Sequence, residues 1–177
     1  LLNGNPQEAF RLTIELNNYN KERQILETSL LNKIMNTNFE YKSDPVIILH
    51  GEDWHEGIIG IIAARIKEKY NKPTIIISVT SGVGKGSARS IYDFDMGSTI
   101  LGGVQAGLLV RGGGHKMAGG FTINMKKFDE FKKFVFKKFK TVNVNKNKKK
   151  IYLFDAEIAP SALNLDFYDK INLLSPF

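Results

Sequence analysis

The run Thr74-Ile75-Ile76-Ile77-Ser78-Val79 constrains this chain more than any other segment, because it is a nearly continuous β-branched stretch bounded by Pro73 and Gly82 and reads as a strand. Val46 to Leu49 is a second, shorter apolar strand. Between them Gly57 to Tyr70 has helical spacing, with Ile58, Ile61, Ile62, Arg65 and Ile66 grouped on one side. Strand, helix and strand within ~35 residues form the βαβ signature of a parallel pair, which places the chain in the α/β class.

The remaining elements follow from this unit. Lys85 to Ile91 reads as a third strand after a turn at Ser81-Gly82-Val83-Gly84, and Gly97 to Val110 as a helix of small residues. Gly112 to Gly114 reads as a glycine-rich turn leading into a strand over Gly119 to Ile123. Met125 to Lys140 is amphipathic, with Phe128, Phe131, Phe134, Val135 and Phe139 on one face, and that face is expected in the core. Upstream, Asn5-Pro6-Gln7-Glu8 is a helix start, with Asn5 as cap and Pro6 at the first helical position. The helix it opens carries Ala9, Leu12, Leu16, Tyr19, Leu26, Leu30 and Ile34 at near-heptad spacing, a stripe suited to a connector between lobes. Asn143 to Lys150 is a lysine-rich linker, and Ile151 to Glu157 is expected to begin a strand of a following module.

Composition narrows the function classes. With no cysteine among 177 residues, disulfides and thiolate zinc sites are excluded and a reducing compartment, the cytoplasm, is expected. The apolar runs fall far short of the ~20 residues of a membrane span, so no membrane partner is expected. Residues 126–150 hold eleven lysines against Asp129 and Glu130, while the whole chain carries +7; the basicity belongs to one segment. The chain has no initiator Met and stops at Ser175-Pro176-Phe177, and is read as a piece of something longer.

Three constellations can carry chemistry. Gly84-Lys85-Gly86-Ser87-Ala88-Arg89-Ser90 combines glycines with hydroxyls and a guanidinium, the materials of an anion cradle. It does not fit a Walker phosphate loop, which needs Gly in place of Val79 and Ser or Thr in place of Gly86. Arg111-Gly112-Gly113-Gly114-His115, continued by Ala118-Gly119-Gly120, spends three successive glycines, which argues for positive φ or a ligand too close for side chains. His115 at its end can donate to a phosphate oxygen and is of a residue type suited to proton transfer. Trp54-His55-Glu56-Gly57 lies between the first strand and its helix, where α/β sheets favour ligands; Trp54 reads equally as an apolar anchor and His55 as a helix cap. His50, His55 and His115 are scattered and there is no Asp-His-His grouping, so metal catalysis by this chain alone is not expected and no metal ligand is assigned.

In order and spacing, Trp54-His55-Glu56-Gly57-Ile58-Ile59-Gly60-Ile61-Ile62-Ala63-Ala64-Arg65, Gly86-Ser87-Ala88-Arg89-Ser90 and Gly113-Gly114-His115-Lys116-Met117-Ala118-Gly119-Gly120 resemble the RecJ family. These are single-strand-specific 5′ to 3′ DNA exonucleases of the DHH phosphoesterase superfamily. The resemblance implies a connector helix over 1–40, a DHH-associated domain over 41–142 with a mixed sheet flanked by helices, and the lysine-rich linker and start of an OB-type β domain over 143–177. It implies that Ser87 and Arg89 bind the terminal 5′ phosphate, and that Gly113 and Gly114 close over the substrate. His115 would then contact the scissile phosphate or support the attacking water. Trp54 and His55 match a family motif and are carried as substrate-binding. Mn or Mg would be held mainly by a preceding DHH domain that this chain does not contain.

The expectation is therefore the substrate-holding part of a single-strand-specific DNA exonuclease acting in repair and recombination, with single-stranded DNA as partner and little activity alone. Two rivals share the motifs: a nanoRNA, phosphoadenosine or cyclic-dinucleotide phosphodiesterase, and a non-catalytic nucleic-acid-binding module such as the one appended to alanyl-tRNA synthetases.

Overall fold

The computed structural model describes residues 5–36, 43–141, 154 and 156–174, which belong to two units, 1–144 and 145–177. The first unit contains α1 (Pro6–Asn36), β1 (Ile47–Glu52), α2 (Glu56–Tyr70), β2 (Thr74–Thr80), β3 (Val83–Arg89), α3 (Met96–Gln105), β4 (Arg111–His115), β5 (Ala118–Asn124) and α4 (Phe128–Lys140). The strands form one mixed sheet in the order β1-β2-β3-β5-β4. The β1–β2 pair is parallel, as the βαβ reading requires, and all other pairs are antiparallel.

Strand alternation divides the core in two. Ile75, Ile77 and Val79 of β2, with Phe121 and Ile123 of β5, face Met96, Ile100, Phe131 and Val135 of α3 and α4. Ile76 and Ile47 face the other way, against Ile58, Ile59, Ile62, Ala63 and Ile66 of α2 and Leu30 and Ile34 of α1. The phenylalanines of α4 are therefore core, as expected. The buried face of α2 is rotated from the sequence reading: Ile59 and Ala63 are inside, while Arg65 is exposed and reaches Glu27 of α1 at 3.1 Å. Glu27 is buried and is also held by Arg23 at 2.8 Å, which supplies the hydrogen bonds a buried carboxylate needs. Asn5 caps α1, accepting from the Gln7 N–H at 3.0 Å. Along the helix Leu30 and Ile34 are buried, whereas Phe10, Leu16 and Tyr19 are exposed.

Ser81 and Gly82 both have positive φ, the geometry of a two-residue hairpin loop, so Val83 and Gly84 belong to β3 and not to a turn. Helix α3 ends five residues earlier than expected because Gly107, at φ 68°, turns the chain into the left-handed region. The largest departure is β4. The segment expected as a glycine-rich turn is a strand, paired with β5 along its whole length.

Glycines in β3 are set by packing. A Cβ on Gly86 would land on the Phe121 ring, which is 5% exposed and packs on Phe131 at 5.1 Å. Gly86→Ala is expected to cost about 1 to 3 kcal/mol through overpacking, against a gain of at most about 1 kcal/mol from a stiffer unfolded chain. A urea titration showing no loss of stability would contradict this packing.

The second unit has a short 3-10 turn, Pro160–Ala162, and α5 (Leu165–Asn172), capped by Asn164 Oδ1 accepting from the Phe167 N–H at 2.9 Å. Of the strand expected over Ile151 to Glu157, residues 151–153 and 155 lie outside the described residues, as do 143–150 of the linker. Phe154, Ala156 and Glu157 are not in a strand.

Candidate functional site

The register of β3, β5 and β4 builds a grid on one face of the sheet. Arg89 pairs with Ala118, and Ala118 with His115. One row along, Ser87 pairs with Gly120 and Gly120 with Gly113; in the next, Lys85 pairs with Thr122 and Thr122 with Arg111. Because side chains alternate with period two, these nine residues share a face, the one that α2 covers over β1 to β3. Beyond β3 the face is open: Arg111, Gly113, His115 and Gly120 are exposed.

The central row is nearly bare. A Cβ on Gly113 would meet nothing within 4 Å, and one on Gly120 would approach only the Gly86 carbonyl oxygen, at 3.6 Å. A shallow depression of about 390 Å³ is lined by Arg111, Gly112, Gly120, Phe121 and Thr122. The other glycines have different reasons. Cβ atoms on Gly112 and Gly119 would strike Ile100 of α3, and one on Gly114 would strike the backbone of β5. Three successive glycines are thus explained by strand alternation: Gly113 faces the open side, while Gly112 and Gly114 make room on the other.

Cations flank this bare strip. Of the five arginines, Arg11, Arg23 and Arg65 are paired with carboxylates. Arg89 and Arg111 have no ion pair among the described residues, and both stand on the open face, as does Lys85. The Arg89 Nη1 donates to the Ala88 carbonyl at 2.9 Å and to Ser87 Oγ at 3.3 Å, so the sequence-predicted pair is assembled, with Nε and Nη2 available to an anion. A residue the sequence reading gave no role completes the pocket. A Cβ on Gly60 of α2 would lie 3.0 Å from Arg89 Nη2 and 3.1 Å from Ser87 Oγ. The signal for it was a glycine in a helix interior, which costs about 1 kcal/mol relative to alanine.

His115 ends β4 in an exposed position. Its Nδ1 accepts from the Met117 N–H at 3.4 Å. The hairpin tip that follows is tied to its neighbours: the Ser90 N–H donates to the Met117 carbonyl at 2.8 Å, and the Met96 N–H to the Lys116 carbonyl at 3.0 Å. Gly97 lets α3 approach the His115 backbone, where a Cβ would sit at 3.0 Å. Asp95 caps α3, accepting from the Ser98 N–H at 2.9 Å. That bond holds its carboxyl below the usual range, with Lys116 adding a smaller effect.

Trp54 and His55 have structural work. The Trp54 ring lies over Gly51, and its carbonyl accepts from the Ser78 hydroxyl. His55 caps α2, its Nδ1 accepting from the Gly57 N–H at 3.1 Å. Both follow the end of β1, whereas Arg89 pairs with Thr74 at the start of β2. The sheet therefore does not bring them into the row of Arg89 and His115; they bear on it through α2.

Among the described residues no three His, Asp or Glu side chains converge as metal ligands. Asp93-Phe94-Asp95, an Asp-x-Asp spacing that the sequence reading leaves out, puts Asp95 to use as a helix cap. The donor set does not fit a divalent cation. No helix among these residues is long and apolar enough to cross a membrane.

The DHHA1 domain model matches residues 43–141, which span the sheet and its helices. The single-stranded-DNA-specific exonuclease RecJ of Haemophilus influenzae is 32% identical over 139 residues, covering 74% of this chain and 24% of the relative. RecJ of Thermus thermophilus is 33% identical over 135 residues, covering 75% and 19%. The crystal structure of RecJ in complex with Mn2+ from Thermus thermophilus superposes with a TM-score of 0.74 at 29% identity, over 100% of this chain and 26% of that one. The chain spans about a quarter or less of the length of these relatives.

Proposed function

The chain belongs to the DHHA1 domain family, and from that premise we propose that it is the substrate-holding part of a single-strand-specific 5′ to 3′ DNA exonuclease. The observation that carries this reading is the open half-sheet, where Lys85, Arg89 and Arg111, without carboxylate partners among the described residues, flank a strip bare at Gly113 and Gly120. Such a surface suits a polyanion whose backbone lies against the protein backbone. Similarity to the RecJ exonucleases supports single-stranded DNA as that polyanion.

In this reading Ser87 and Arg89 bind the terminal 5′ phosphate. The guanidinium offers two directed donors and the hydroxyl a third. The strip at Gly113 and Gly120 lets the next part of the strand lie close, with Arg111 and Lys85 at its edge. His115 reaches the scissile phosphate. Manganese or magnesium, named with the solved RecJ structures, would supply charge stabilisation and an activated water. We place it on residues outside this chain, in a preceding catalytic domain, and assign the chain no hydrolysis of its own. The parent works in DNA repair and recombination in the cytoplasm.

The test is binding of the chain to a short single strand ending in a 5′ phosphate or a 5′ hydroxyl, at two salt concentrations. The phosphate is expected to strengthen binding at both. Added salt should weaken both strands together, as counterion release from backbone contacts requires. Equal affinity for the two ends would remove the end-recognition role and leave only a basic surface.

A further inference from the structure

Resting on that reading, we propose that Tyr92 is a stacking platform for the nucleobase next to the held phosphate, so that the site recognises a nucleotide and not a phosphate alone. Tyr92 is 73% exposed, and exposing a large aromatic ring in a short loop forgoes burial that would stabilise it. The loop around it is fixed. The Ser90 hydroxyl donates to the Phe94 carbonyl at 2.6 Å, the Phe94 N–H donates to the Ile91 carbonyl at 3.2 Å, and Phe94 is buried. The ring is therefore presented on a rigid turn.

Its position follows from the grid. Tyr92 comes three residues after Arg89, and the Lys116 Nζ lies 4.1 Å from its ring centroid. Lys116 directly follows His115, so the ring stands at the end of the strip where the row of Arg89, Ala118 and His115 lies. A nucleotide whose phosphate is held in that row can lay its base on the ring. Lys116 occupies one face by a cation–π contact, and the high exposure of the residue leaves the opposite face for a base. Every base has a π face, so this contact adds affinity with little sequence preference. Lys116 is then placed to serve the same nucleotide with its charge.

The chain would be titrated with a short 5′-phosphorylated strand and with the same strand made abasic at its first two nucleotides, using wild type, Tyr92→Ala and Tyr92→Phe. Tyr92→Ala should weaken binding of the base-bearing strand on the order of ten-fold and leave the abasic strand unchanged, while Tyr92→Phe, which keeps the ring, retains wild-type affinity. Equal weakening of both strands, or no weakening of either, overturns the stacking role. The preference for phosphate over hydroxyl in Tyr92→Ala separates the two ideas: if it persists while the base effect is absent, only the stacking fails. If wild type shows no phosphate preference, the end-recognition reading fails with it.

Discussion

Arg89→Ala is expected to erase the preference for a 5′ phosphate over a 5′ hydroxyl, weakening the phosphorylated strand by roughly ten- to a hundred-fold while leaving the hydroxyl strand nearly as it was. The substitution removes charge-assisted hydrogen bonds to the terminal phosphate. A hydrogen bond to a charged group contributes about 1.5 to 3 kcal/mol, and each 1.4 kcal/mol is about a factor of ten in Kd. The guanidinium needs no reorganisation to make it. Ala88 and Ser87 already hold Nη1, and the absence of a Cβ at Gly60 leaves space beside Nη2. Arg89→Lys should recover only part of the affinity, because an ammonium replaces a directed fork with a point charge. Fluorescence anisotropy with both strands decides the matter. If Arg89→Ala weakens both strands by the same factor, Arg89 is one more backbone cation, and the phosphate end is held elsewhere.

What the sequence makes legible depends on how local its signals are. The βαβ unit was legible because a β-branched run, a helix of matching period and a short connection are all local. Ser87 and Arg89 were legible as a pair because residues two apart in a strand share a face. The strand β4 was not, since Arg111-Gly112-Gly113-Gly114-His115 has no strand propensity of its own. It becomes a strand because β5 pairs with it and Ile100 packs against Gly112 and Gly119, contacts made across the hairpin and with α3. The same cause hid the grid itself, in which Arg111 and Lys85 join Arg89 and His115 only after three strands are registered. Trp54 and His55 show the reverse error. A tryptophan and a histidine at the edge of an α/β sheet draw a binding reading, yet local hydrogen bonds employ the Trp54 carbonyl as an acceptor and His55 as a cap. Gly60 carries no chemistry of its own, and its role appears only as a distance to side chains on another element.

His115→Ala, made in the intact exonuclease of this proposal, should lower turnover by about a hundred- to ten-thousand-fold, the range for a positioned proton donor or acceptor, with little change in binding of a 5′-phosphorylated strand. Since Nδ1 accepts from the Met117 N–H, the neutral imidazole carries its proton on Nε2 and can present it to a substrate oxygen. The exposed ring stands one row from the bare glycine pair and in the row of Arg89, close enough to the strand's path to act beyond the held end. His115→Gln separates the two tasks open to such a ring. Glutamine can still donate a hydrogen bond but cannot transfer a proton at neutral pH, so substantial recovery of turnover identifies charge stabilisation and no recovery identifies proton transfer. Single-turnover hydrolysis, compared with equilibrium binding for each variant, measures both quantities. A fall in binding as large as the fall in rate would make His115 a substrate anchor and remove it from the chemical step.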